Sequence, residues 1–212
     1  MKYYSQINQD RHYIENVINF KKQGKFLDIG AHDGITISNT AALEFDLDWT
    51  GICVEPNTDL FNKLIINRPK STNVNCAAWF IDAPLQLEIP QTNHRNISGD
   101  LLSKIDVIHS DKFREHFTDE TVFQTVQGRT VTSIVEEYYQ PPYHFDFLSL
   151  DVEGAEVFVL KGIDFTKIQI DYMTVEHGNV VRHLNNIGSL LKMNGFEIAR
   201  VNDFDVEFKR IK

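Results

Sequence analysis

Cysteine is scarce in this chain, a basic excess is missing, and no long apolar run occurs. The 2 cysteines, Cys53 and Cys76, lie inside the apolar runs ICVEP and VNCAAW, and there is no CxxC. That excludes a disulfide framework and a thiol-based zinc site, and it suits two reduced core thiols in a reducing compartment. No apolar stretch approaches the roughly 18 residues that a membrane span needs. The opening segment MKYYSQINQDRHYIENVI is too polar for a secretory leader. Both features point to a cytoplasmic protein without a membrane span. The net charge of -9 excludes a general nucleic-acid binder, which needs Lys and Arg to displace counterions from phosphates.

What is present is an ordinary globular composition, 42% hydrophobic over 212 residues, enough for one α/β domain with a sizeable core. Helical spacing is expected over residues 11–22. Strands are expected at 25–29 (KFLDI), at 51–55 (GICVE) and over VNCAAWF, with helices at 34–45, on the face of Ile37, Ala41 and Phe45, and from Asp59 to Asn67. Alternation of this kind predicts right-handed βαβ units and a doubly wound sheet. Residues 80–129 break the rhythm. LQLEIP and VFQTVQGRT read as strand pieces around the polar stretch QTNHRNISGD, an insertion or lid within a single domain, residues 1–212. After it come a helix at 131–139, a turn at QPPY, a buried strand FDFLSL and a short helix closed at Gly162. A strand IDYMTVEH, a helix at 180–193 and a closing hairpin, FEIARVN with DFDVEFKR, complete the chain.

Chemistry concentrates at three strand ends. FLDIGAHDG places Asp28, Gly30, Ala31, Asp33 and Gly34 where strand turns into helix, and glycine there lets a ligand approach the backbone closely. Glu55 ends the second strand, at the position that accepts hydrogen bonds from both ribose hydroxyls of an adenosine cofactor. A nicotinamide cofactor and S-adenosylmethionine both use that device. A dinucleotide seats a pyrophosphate beside the loop, where Asp28 and Asp33 are unwelcome; a sulfonium suits them. DVEGAE (Asp151, Glu153, Glu156) and EHGN (Glu176, His177, Asn179) end two further strands. Asp151 and His177 are candidates for deprotonating a hydroxyl. Alternatively, Asp151 and Glu176, with His177 or Asn179, hold Mg²⁺ or Mn²⁺. Glu156 also reads as an electrostatic partner of the helix N-terminus. QPPY resembles an amino-group methyltransferase motif but precedes its strand, so it reads as a turn.

The segments SQINQD, FLDIGAHDGITISNT, GICVEPN, NVNCAAW, DFLSLDVEGAEVFVLKGI and MTVEHG together resemble the FkbM family of S-adenosylmethionine-dependent methyltransferases, over about residues 5–180. The resemblance implies a class I Rossmann-like fold: a mostly parallel seven-stranded sheet, antiparallel in its last strand, with helices on both faces. It implies O-methylation of a sugar hydroxyl, with a glycan, nucleotide sugar or glycosylated natural product as acceptor. It maps Asp28, Gly30, Gly34, Glu55, Pro56 and Asn57 to cofactor positions, and Asp151, Glu153 and Glu176 to the active site. Ala31, Asp33 and Ala77 complete the cofactor set, and His177 the catalytic one. Gln9, Asp10, Asn96 and Ser98 are candidate acceptor contacts. Assembly as a homo-oligomer is compatible with this reading. The alternatives are a nicotinamide-dependent oxidoreductase and a non-catalytic methyltransferase-like binding protein. RNA methylation is opposed by the acidic balance.

Overall fold

A computed structural model describes residues 1–90, 104–105 and 121–211 of the chain. Its centre is a seven-stranded sheet of β1 (Lys25–Ile29), β2 (Thr50–Val54), β3 (Thr72–Val74), β8 (Tyr143–Leu150), β9 (Ile168–Glu176), β10 (Phe196–Val201) and β11 (Asp205–Arg210). The spatial order is β3-β2-β1-β8-β9-β11-β10. All pairings are parallel except those of β11, which runs antiparallel to both β9 and β10. The expected sheet and terminal hairpin are therefore present.

Alternation along β1 explains the layering. Leu27 and Ile29 enter one core with residues of α4 (Val131–Tyr138), α5 (Glu156–Lys161) and α6 (Val181–Met193). Phe26 enters the opposite core with Leu43 and Leu47 of α2 (Ala41–Leu47) and Leu64 of α3 (Thr58–Asn67). Asp28 shares the parity of Phe26, so a carboxylate ends the strand on the α2–α3 side. Cys53 and Cys76 are free and buried.

The expected helix at 34–45 is shorter than the spacing predicts. Asp33 Oδ1 accepts from the N–H groups of Ile35 and Thr36, and Ser38 Oγ from those of Thr40 and Ala41. Such side-chain bonds compete with the helical ladder, and Ile37 stands in the left-handed region at φ 49°. The helix starts only at Ala41. At the N-terminus, α1 (Gln9–His12) continues into a π-helical turn at Tyr13–Val17, and left-handed Asn19 and Phe20 end it. The third strand also stops early. Asn75 Nδ2 turns to the carbonyls of Glu55 and Pro56. The chain then leaves the main sheet, and β4 (Ala77–Ala78) pairs instead with β7 (Thr121–Arg129). With β5 (Ala83–Pro90) and β6 (Lys104–Ile105) it forms a second, four-stranded sheet, packed through Trp79, Leu87 and Val126 on Ala155.

Arg68, just after α3, is fully buried. Its Nε donates to Glu44 Oε2 at 2.8 Å, and its Nη1 donates to Thr40 Oγ1 at 3.0 Å and the Gly34 carbonyl at 3.2 Å and lies 3.7 Å from Asp28 Oδ2. The guanidinium stacks over Phe26, 5.1 Å from its centroid. Arg68→Ala strands two buried carboxylates, so urea denaturation of this variant is expected to show a loss of about 3–5 kcal/mol. An unchanged midpoint contradicts this.

Candidate active site

The carboxyl ends of β1, β2 and β8 meet where the strand order turns back on itself, the place where open α/β sheets bind ligands. A cavity opens there. Its floor is Ile29, Gly30, Ala31, Val54 and Glu55; Ser149, Asp151 and Glu153 form one side, and Ala77, Ala78 and Leu87 of the second sheet another. Gly30, at φ +88°, lies so close to β8 that a Cβ there would sit 1.7 Å from the Asp151 carbonyl oxygen. Gly34, at φ +81°, has no contact with the cavity; a Cβ would strike Arg68 and Leu64.

Two backbone amides hold the Glu55 carboxylate. Oε1 accepts from Asn57 N–H at 2.8 Å and Oε2 from His32 N–H at 2.9 Å. Asp28 accepts from Thr40 Oγ1. Burial pushes its carboxyl up, against the pull of Arg68. Pro56, Ala31 and Ala77 line the cavity, whereas Asp33 and Asn57 do not. Asp33 closes its own turn, and Asn57 Oδ1 caps α3 by accepting from Asp59 and Leu60. Asp28 is thus the one acid of that loop at the cavity, joined there by Glu55, Asp151 and Glu153. No Lys or Arg lines it among the described residues.

Behind Asp151 lies a knot of carboxyl groups. Oxygens of Asp151, Glu156 and Glu176 all lie within 4.8 Å of one another. Asp151 and Glu176 are hydrogen-bonded, which requires a proton between them. Burial, then the charges of Asp151, Glu153 and Glu156, pushes the Glu176 carboxyl far up, so the pair holds a shared proton. Asp151 is pushed by burial to about 6, with the Glu176 hydrogen bond opposing the rise. Burial and then Asp151 hold Glu153 well above its ordinary value. Glu156 Oε1 folds back to accept from Val152 and Gly154 N–H at 3.0 and 3.1 Å. Its Oε2 lies 3.2 Å from His183 Nε2 without an aligned hydrogen bond. Burial and then His177 keep the His183 pKa low, so this imidazole adds little compensating charge. The loop they support is strained: Glu153 adopts φ 55° ahead of Gly154 at φ 100°, a left-handed conformation that costs a residue with a Cβ about 1–2 kcal/mol.

The structure brings Asp151 and Glu153 to the cavity with Glu176 bonded behind them, but it turns His177 elsewhere. That ring is 4% exposed, and Nε2 lies 3.3 Å from the Asn202 carbonyl oxygen. Gln9 Nε2 donates to Asp205 at 2.6 Å, and Asp10 accepts from Tyr4 and Ser5; neither lines the cavity. Asn96 and Ser98 lie outside the described residues. His32, Thr36, Ile37, Ser38, Asn39, Leu87 and Ser149 line the cavity without having been expected there. Ser38-Asn39-Thr40 ahead of AALEF is an N-cap signature that marks the end of the loop. Nothing local marks Leu87, which arrives with the second sheet.

The sheet order is that of the Rossmann-like methyltransferase fold. The family is equally definite: a model described as the methyltransferase FkbM domain matches residues 28–198, and the chain belongs to that family. No curated protein matches the sequence. Among solved structures, methyltransferase FkbM from Methylobacillus flagellatus is similar at TM-score 0.54 and 12% identity, over 97% of this chain and 48% of that one. The chain thus spans about half the length of that relative. Fibrillarin from Aeropyrum pernix, solved with S-adenosyl-L-methionine bound, is similar at TM-score 0.53 and 13% identity, over 98% and 74%. A ribosomal protein L11 methylase from Lactobacillus delbrueckii follows at TM-score 0.50 and 11% identity, over 96% and 78%. No helix among the described residues is long and apolar enough to cross a membrane.

The carboxyl knot sets a pH dependence. Glu156 goes from its ordinary 4.5 to about 7 in the folded chain, because burial disfavours its charge. Its contribution to stability is complete below the unfolded value and is lost as pH climbs through the folded one. The thermal midpoint is therefore expected to fall by a few degrees between about pH 5 and about pH 7.5, and Glu156→Gln to flatten that fall. A midpoint that rises over this window contradicts the assignment.

Proposed function

We propose that this chain transfers a methyl group from S-adenosyl-L-methionine to a hydroxyl oxygen of a saccharide. The observation that carries the reading is the cavity lining, with four carboxyl side chains and neither Lys nor Arg among the described residues. Such a wall suits a cationic ligand and opposes the pyrophosphate of a nicotinamide cofactor. Bound there, S-adenosyl-L-methionine supplies an electrophilic methyl group on a positively charged sulfur. Glu55, oriented by two backbone amides, accepts the ribose hydroxyls. Gly30 and Ala31 give close access to the backbone of the loop. Asp151 Oδ takes the proton of the acceptor hydroxyl. The buried Asp151–Glu176 pair shares one proton, which leaves one carboxylate charge to act as the base. Glu153, on the strained loop, faces the same space and orients the acceptor.

The saccharide comes from the FkbM resemblance, and the lining favours a neutral glycan over a nucleotide sugar, whose phosphates need cations. A second reading gives Asp151, Glu156 and Glu176 to a divalent cation. Three hard oxygen donors within 4.8 Å of one another, with no Lys or Arg paired to them among the described residues, suit Mg²⁺ or Mn²⁺ acting as a Lewis acid.

A methyl-transfer assay over neutral glycans and nucleotide sugars tests both. Asp151→Asn is expected to lower kcat by about 10²–10⁴-fold. Calorimetric affinity for S-adenosylhomocysteine should stay nearly unchanged. Full turnover in that variant contradicts the role of Asp151. Wild-type activity that survives exhaustive chelation rejects the metal reading, and binding of NAD in place of S-adenosylhomocysteine rejects methyl transfer.

A further inference from the structure

Asn39 carries a hydrogen-bonding atom that the described residues leave unanswered. The residue is 7% exposed and stands in the cavity wall. Its Nδ2 donates to Ser149 Oγ at 3.0 Å, which ties the loop before α2 to the end of β8. Its Oδ1 is buried and accepts from no group among the described residues. A buried carbonyl oxygen without a donor destabilises a fold, so such atoms ask for an explanation. Here the atom belongs to a cavity-lining residue, and a ligand is the nearest source of the missing donor.

The surroundings say which donor fits. Asp28 lines the same cavity, and its carboxyl group and the Asn39 carbonyl both act there as acceptors. No Lys or Arg reaches the lining among the described residues. Acceptors without a compensating cation select a ligand cation that carries several N–H donors, as a primary ammonium does. Glu55 lies on the other side of β1, at the β2 end, whereas Ser149 belongs to β8. The two ends of the cavity therefore differ in chemistry.

We infer that Asn39 Oδ1 receives the α-ammonium at the amino-acid end of the S-adenosyl ligand. Asn39 and Glu55 then read opposite ends of one molecule, and Ser149 is the positioning residue that turns the Asn39 amide. The inference rests on the proposed S-adenosyl site and specifies which atom discriminates within it. The opposite amide orientation would present Nδ2 and would read the ligand's carboxylate.

Calorimetry with S-adenosylhomocysteine and with its analogue lacking the amino group separates these possibilities. The wild-type protein is expected to prefer the complete ligand by about 10- to 100-fold. Asn39→Ala should lose that preference and leave affinity for the desamino analogue unchanged, and Asn39→Asp should bind the complete ligand at least as tightly as wild type does. Equal binding of the two ligands by wild type overturns the inference and leaves the cofactor reading standing; binding of neither overturns both. Equal weakening of both ligands by Asn39→Ala assigns the residue to structure alone. Loss of S-adenosylhomocysteine binding in Asn39→Asp shows that the amide nitrogen faces the ligand carboxylate, and this too overturns the inference.

Discussion

A buried guanidinium holds the β1–β2 end of the cavity together. Arg68 pairs with Glu44, lies against Asp28, and bonds to the Gly34 carbonyl and the Thr40 hydroxyl. It thereby joins the end of β1, the irregular loop 30–40, the start of α2 and the end of α3. An Arg removed from water is tolerable only when its donors are occupied, and the loop supplies them. The dependence is mutual. Without Arg68, Asp28 and Glu44 would be two buried carboxyl groups with no countercharge among the described residues, and the loop would lose the anchor that sets Ser38 and Asn39 in the cavity wall.

The opposite end of the cavity is built on an imbalance. Asp151, Glu153, Glu156 and Glu176 converge with no Lys or Arg among them in the described residues, so burial is relieved by protons instead of counterions. Such an arrangement opposes stability and suits chemistry. A carboxyl pair that shares one proton can take another from a hydroxyl near neutral pH. Glu156 bonds to the backbone of the loop that carries Asp151 and Glu153, and so holds a strained turn. The two halves are complementary: one is neutralised by an Arg, the other by protons alone, beside the cavity where a positively charged sulfur is proposed to lie.

Most of the sheet was legible in the sequence. Continuous apolar runs such as FDFLSL have one physical meaning in a chain of alternating βα units, and the closing hairpin followed from two adjacent strand patterns. Errors fell where side chains compete with the backbone. Asp33 and Ser38 divert the N–H groups that a helix over 34–45 needs, and Asn75 ends β3 before Cys76. The positions of Asp28, Glu55, Asp151 and Glu153 at the cavity were readable because acids at the ends of buried strands are conspicuous. The directions of their neighbours were not. Asp33, Asn57 and His177 sit within a few residues of the cavity, yet local hydrogen bonds turn them away, and spacing alone cannot reveal that. Leu87 and Ala78 come to the wall through a second sheet whose pairing is non-local.

One cavity, across the ends of β1, β2 and β8, is proposed to hold the S-adenosyl ligand. Amide hydrogen exchange with and without S-adenosylhomocysteine tests it most directly. New protection is expected, confined to residues 30–39, 54–57 and 151–155. Protection elsewhere on the chain, or none at saturating ligand, would contradict it.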